Sequence, residues 1–340
     1  MFTSTALKTT CLSLLLFAGI LSPVAPVAAA QGVKLTKQQG KVLVEIDGHL
    51  FTEYHFEGQR RPYFYPIIGP TGASMTRNWP MKDGVPGEEK DHVHHRGLWY
   101  GHRHVNDTGF WEESAKPGVM LGKIVHDKFL EVKGGPDVGV IRTSNKWIKD
   151  DGTHVMTDET TMRFHGRGDV RMLDFDITFI ADKGDVVFGA DKDAAMAIRV
   201  PETSRLDRPK EKGQKSAPKG EGHIVTSEGK RDAEAWGTRA RWCDYHGPAD
   251  GKVVGVAIFD HPSNPRHPTW WHVRGYGLFA ANPFAQAQFE NLPDKKAGEF
   301  TLPAGQRTTF RYRFYWHLGD EKAGQVESRY QAYVKETSSK

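Results

Sequence analysis

The sequence predicts an all-β fold, a large antiparallel β-sandwich with a C-terminal helix, and three observations predict it. Leu173, Phe175, Ile177 and Phe179 alternate with Asp174, Asp176 and Thr178, which is a strand with one dry face. Phe310, Tyr312, Phe314 and Trp316 alternate with Arg311, Arg313 and Tyr315 in the same way. Val253–Phe259 is apolar throughout apart from Gly255, as expected of a central strand covered on both faces.

In chain order, the first ~30 residues read as a cleavable secretory signal: Lys8, an apolar run from Leu12 to Leu21, then Ala28-Ala29-Ala30 as a small-x-small cleavage site. The run is too short to span a bilayer, and Pro23 and Pro26 break the segment after it. Cleavage near Ala30 places the chain in the periplasm or outside the cell. It also removes Cys11, leaving Cys243 as a lone thiol, so stability rests on the core rather than on a disulfide. Further strands are expected at Lys41–Ile46, Leu50–Phe56, Pro62–Ile68, Leu98–His104, Val138–Ile148, His154–His165, Val186–Ala190, Ala195–Val200 and Gly237–His246. On strand spacing Cys243 shares a face with Arg239, Arg241 and Tyr245, a polar side. Residues 206–222, rich in Lys, Pro, Gly and Glu, read as a mobile surface loop within one domain over 31–340. The helix comes last, with Asp320 as N-cap and Val326, Tyr330, Tyr333 and Val334 at helical spacing.

Charge narrows the function. The formal net charge is +4, of which Lys8 contributes one, and basic and acidic residues are interspersed. The chain therefore lacks the basic stripe that nucleic-acid binding requires. The protein partners are unknown.

The chemistry concentrates in three segments. Sixteen histidines are unevenly spread, and the densest group is His92, His94, His95, His102 and His104, with Asp91, Trp99, Asn106 and Glu112 around it. In extended chain His92 and His94 share a face, as do His102 and His104. Those four could converge on a divalent metal; otherwise they hydrogen-bond in a polar cleft. The second segment contains Arg266, His267, Trp271, His272, Tyr276 and Asn282, and it reads as a loop that forms a rigid binding rim braced by three prolines. The third brings Glu228, Trp236 and Arg239. Aromatic faces stack on sugar C–H surfaces while Arg, His and Asn bond the hydroxyls, so the palette suits a saccharide. Arg77 joins the expected ligand-binding set.

Residues 61–66 (Arg-Pro-Tyr-Phe-Tyr-Pro) and the blocks 91–106, 227–245 and 261–284 resemble the bacterial family labelled PmoA-like, a domain of unknown function. The label borrows the name of a membrane methane monooxygenase subunit, yet nothing after Ala30 is apolar enough to cross a bilayer. The resemblance implies a galactose-mutarotase-like supersandwich that handles sugars in a cleft on one sheet. By that likeness His94, His95 or His104 would serve as acid and Glu112 or Glu228 as base.

These readings converge on a secreted carbohydrate-active enzyme using His/Glu acid–base chemistry, of epimerase, lyase or glycosidase type, with His272 among the catalytic candidates. The alternatives are a non-catalytic glycan-binding protein and a metal-dependent, cupin-like enzyme. Convergence of His94, His95, His104, His267 and His272 with a carboxylate would favour catalysis. Alanine at His95 or His272 is expected to abolish turnover while leaving the melting temperature nearly unchanged.

Overall fold

A computed structural model describes residues 1–3, 32–114, 120–167, 170–210 and 213–338. The expected leader and its cleavage site near Ala30 lie outside the described residues.

Two large sheets face each other. The eight-stranded sheet runs Val33–Gln38, Lys41–Ile46, His49–His55, Tyr63–Ile67, Leu98–His102, Ala194–Arg199, Leu278–Asn282, Trp270–Val273, with antiparallel neighbours throughout. The nine-stranded sheet runs His223–Thr226, Trp242–Ala249, Lys252–Asp260, Arg307–Leu318, Val170–Ile180, His154–Arg167, Val138–Lys149, Met120–Lys133, Thr108–Gly109, and only its last pairing is parallel. The chain passes from one sheet to the other between Leu98–His102 and Ala194–Arg199, two strands that are neighbours in the first sheet, which is what makes a sandwich rather than a meander.

The alternation in sequence explains the layering. In Lys41–Ile46 the residues Val42, Val44 and Ile46 are fully buried, while Lys41, Leu43 and Glu45 are only half-buried. Period-two side chains place the first set between the sheets and the second outside. The main core takes Phe51, Phe64, Tyr100, Met196 and Phe279 from one sheet and Phe164, Phe175, Ile258, Phe314 and Trp316 from the other. Phe51 meets Trp316 edge-on at 5.4 Å, and Phe64 meets Phe164 at 6.0 Å, so the two layers interlock through T-shaped rings.

The C-terminal helix, Val326–Thr337, clasps the outer face of the nine-stranded sheet as expected, burying Val326, Tyr330 and Tyr333 against Phe259, Tyr315 and Trp242. Its cap differs from the expectation. Asp320 Oδ1 accepts from the Lys322 and Ala323 amides of the preceding turn, and the helix itself begins after Gln325, which adopts a left-handed φ of 52°.

Two further readings are corrected. Residues 270–282 are not a loop but two antiparallel strands of the eight-stranded sheet, because Trp271, Val273, Phe279 and Ala281 supply an apolar face to the core, with the residues alternating with them buried as well. The strand expected from Gly237 begins only at Trp242, so Cys243 shares a face with Tyr245 alone among its expected neighbours, and it is fully buried in the core. Residues 206–222 are zipped at their base: Leu206 is buried, its amide donates to Tyr245 Oη at 2.9 Å, and the Gly220 amide donates to the Leu206 carbonyl at 2.7 Å. The tip, 211–212, lies outside the described residues.

Candidate functional site

The outer face of the eight-stranded sheet is floored by small side chains. Ala197 and Ala280 are fully buried there, beside Trp99, Trp111, Leu278 and Tyr63. Segments 77–97 and 103–113 wall this floor.

Gly97, at φ +53°, lets the first wall turn into the strand Leu98–His102, since a Cβ would lie 2.0 Å from the Phe64 carbonyl oxygen. The wall is held by Arg77, fully buried, whose guanidinium pairs with Asp91 and donates to the carbonyls of Trp79 (3.2 Å), Glu89 (3.3 Å), Asp91 (3.1 Å) and His92 (3.2 Å). Arg199 also reaches Asp91, at 3.1 Å. Burial raises the Asp91 pKa, but the His92 hydrogen bond and the two guanidiniums outweigh it and hold the carboxyl well below the usual range.

Upon this frame stands a column of rings. Tyr276 stacks on His92 at 5.3 Å, His92 on His95 at 4.6 Å, and His95 on Trp99 at 5.2 Å, while His94 meets His95 edge-on at 4.5 Å. His95 is buried, and its pKa is pushed well below that of a free imidazole by burial and by the Arg199 cation.

The second wall is organised by Asp191, Lys192 and Asp193. Arg103 bonds Glu112 Oε1 at 2.6 Å and Asp193 Oδ2 at 2.6 Å. His104 Nε2 lies 3.3 Å from Asp191 Oδ2, and that hydrogen bond raises its pKa. Asn282 Nδ2 donates to the carbonyls of Asp191 (3.0 Å) and Lys192 (2.9 Å). His272 Nδ1 bonds the Lys192 carbonyl at 2.6 Å. A carbonyl only accepts, so Nδ1 carries the proton. Burial lowers the His272 pKa to about 4, leaving the ring neutral near pH 7. Its Nε2 then carries a free lone pair, with no hydrogen-bond partner among the described residues.

His272 lines a cavity of about 400 Å³ together with Lys192, Trp236, Arg274, Tyr276 and Lys295. A neighbouring cavity of about 440 Å³ shares Trp236, Arg274 and Tyr276 and extends to Glu89, Asp91, Arg205 and Asp207. The ring column therefore ends, at Tyr276, on the wall common to both cavities.

The expected site is only partly assembled. His92, His94, His95, Trp99, Arg77 and Tyr276 come together, His272 and Trp236 line the cavity, His104 meets Asp191, and Glu112 is tied to Asp193 through Arg103. The other candidates lie apart. Glu228 is on an exposed turn of the nine-stranded sheet, bonded to Ser227 Oγ at 2.9 Å. His267 Nδ1 pairs with buried Asp260 at 2.7 Å. Arg266 is spent on the carbonyls of Pro283, Gly298 and Glu299, and Arg239 on those of Pro268 and Arg266. Trp271 is core, donating to the Ala240 carbonyl at 3.0 Å. Asn106 closes a turn by bonding Val187 and Asp185; Asn282, in contrast, shares the Lys192 carbonyl with His272 but is buried with its amide spent on backbone.

Nor do the four metal candidates converge. The chain at His92 turns with φ +40° instead of running extended; its ring still meets that of His94 at 5.6 Å, but its Nδ1 is bonded to Asp91. The ring of His102 is buried against Phe284 at 4.8 Å, and His104 belongs to Asp191. Among the described residues no three His, Cys, Asp or Glu side chains are grouped to hold a metal ion. No helix among them is long and apolar enough to cross a membrane.

Arg103, Lys192, Asp193, Arg199, Arg274 and Lys295 were absent from the expected site. Arg274 falls inside the block 261–284, but an isolated arginine in sequence says nothing of what it faces.

Residues 41–331 match one family along almost the whole described chain. The chain belongs to a family of unknown function (DUF6807). No functionally curated protein matches it significantly. Among solved structures it is similar to a galactose mutarotase-like protein from Clostridium acetobutylicum, with 9% identity over 84% of this chain and 98% of that one and a TM-score of 0.34. It is also similar to a GH36 α-galactosidase from Geobacillus stearothermophilus, with 8% identity, 85% of this chain covered and a TM-score of 0.41. The match covers only 41% of the α-galactosidase's length.

Proposed function

We propose that the protein is a carbohydrate-active enzyme performing acid–base chemistry on a sugar or glycan fragment in the cavity beside the eight-stranded sheet, with His272 as the proton acceptor. The observation that carries this reading is the state of His272: a neutral imidazole, tautomer set by the Lys192 carbonyl, with Nε2 unused in a cavity walled by Trp236 and Tyr276. A basic nitrogen next to aromatic faces is what a sugar-directed general base needs. Export through the N-terminal leader, to the periplasm or beyond, belongs to the same proposal. So does the PmoA-like resemblance, without the membrane oxygenase its label suggests.

The test is a screen of the chain without its leader against oligosaccharides, monitored for new reducing ends, for absorbance of unsaturated products and for anomeric exchange by NMR. His272→Asn keeps a donor for the Lys192 carbonyl and deletes the Nε2 base. Turnover lost in that variant with ligand binding retained supports catalysis. Binding without turnover in the parent protein supports the second reading, a glycan-binding protein. One finding favours that second reading: the His92–His95 column is accounted for by stacking and by Arg199, so its imidazoles no longer argue for proton transfer.

A further inference from the structure

Resting on that reading of the site, we propose that the His272 cavity is an anion subsite that takes a carboxylated saccharide, a uronate residue of a glycan. The side chains lining it include three cations, Lys192, Arg274 and Lys295, the amides of Gln288 and Asn291, and no Asp or Glu. Arg274 has no carboxylate partner and no side-chain hydrogen bond among the described residues. It is held by rings instead, its guanidinium carbon 5.5 Å from the Trp236 ring and 5.8 Å from that of Tyr276. Stacking fixes the plane of the fork while leaving all of its N–H donors unspent. Lys295 Nζ donates only to the Leu292 carbonyl, at 3.0 Å. Lys192 lies 3.0 Å from Asp193, but Asp193 is shared with Arg103, so that carboxylate already answers two cations.

The acids of the adjoining cavity do not cancel this charge. Asp91 is bound by Arg77 and Arg199, Glu89 by Arg205 at 3.0 Å and Asp207 by Lys219 at 2.9 Å. A ligand carboxylate would meet a planar fork ready for bidentate bonding. A bare inorganic anion would use the cations alone, whereas a saccharide would also bring hydroxyls to the Gln288 and Asn291 amides that line the same cavity.

Calorimetric titration of the protein with oligomers of galacturonate, glucuronate and mannuronate, with their methyl esters and with inorganic phosphate, tests this. The expected result is binding of at least one acidic oligomer, weakened by added salt and at least about tenfold weaker for its ester. Arg274→Ala and Lys295→Gln, both exposed positions that should leave the fold intact, each weaken the acid about tenfold and the ester little. Arg241→Gln, on the other sheet, changes neither. Equal binding of acid and ester overturns the anion subsite and leaves the sugar reading standing. Phosphate binding as tightly as any oligomer, and lost in Arg274→Ala, keeps an anion pocket but overturns its assignment to a saccharide together with the sugar reading. Binding of none of the probes overturns the proposal.

Discussion

Arg199 donates to Nδ1 of His95 at 3.1 Å, and both side chains are buried. A guanidinium has no lone pair to offer, so His95 accepts at Nδ1 and its only proton sits on Nε2. The most conspicuous histidine of the densest cluster is thereby a supporting strut. It holds the ring column whose far end, Tyr276, faces the cavities.

This reverses the expectation that alanine at His95 would spare stability. His95→Ala removes a ring stacked on two others and leaves Arg199 with one bond fewer in a dry site, a loss of about 2–4 kcal/mol. His92→Ala, at an exposed position, should cost less than about 1 kcal/mol. Urea denaturation of the two variants checks the contrast; equal losses would contradict the strut.

Stability should fall on mild acidification. Burial lowers the pKa of His272 to about 4 and that of His102 to about 3. The unfolded chain binds protons near 6.5 while these folded sites do not, so their contribution is present above pH 6.5 and is lost as pH drops through 6.5 toward 4 and then 3. His104 and His317 are raised by their aspartate partners and act with the opposite sign, stabilising below 6.5 and losing that contribution as pH rises through their folded values. Denaturant midpoints measured from pH 8 to 4 should show the net fall. The fall should be shallower in His102→Asn.

Catalysis, in contrast, should depend on His272 more than on any member of the ring column. His272→Asn should lower kcat by about 10²–10⁴-fold with little change in KM, whereas His104→Gln should leave most of the rate. A full rate in His272→Asn would remove the proton-acceptor role.

Gly97→Ala should cost several kcal/mol. The added methyl meets backbone rather than a movable side chain, and the left-handed φ adds about 1 kcal/mol of strain. Because this glycine sets where the His92–His95 segment joins the sheet, ligand affinity should fall in parallel, as titration of the refolded variant would show.

Across the molecule, Arg313 grips buried Asp174 with two bonds, at 2.5 and 2.9 Å, and donates to Glu336 of the C-terminal helix at 2.8 Å. Arg313→Met strands Asp174 with His165 as its remaining side-chain partner, a loss of about 3–5 kcal/mol. Arg313→Lys should recover only part of it, since an ammonium cannot form the fork. Thermal melting of both variants reads the difference.

Much of the fold was legible because period-two alternation reports burial directly. Residues 173–179 and 310–316 alternate, and they lie side by side with Ile177 opposite Phe310. The clasping helix was legible for the same reason, its apolar positions recurring at helical spacing. The strands at 270–282 were not, because the residues alternating with Trp271 and Phe279, namely Trp270, His272, Leu278 and Ala280, are buried as well, so no apolar–polar alternation shows. Nor was the division of labour among histidines. Sequence by itself determined that imidazole, indole and guanidinium groups are concentrated near 92–112 and 261–284, and that strands are the dominant regular element. Only the tertiary structure decided that His95 is locked by an arginine 104 residues away and that His272 keeps a free nitrogen. Those assignments depend on which carbonyl, cation or cavity each ring meets across the sheet, and local spacing does not encode such contacts.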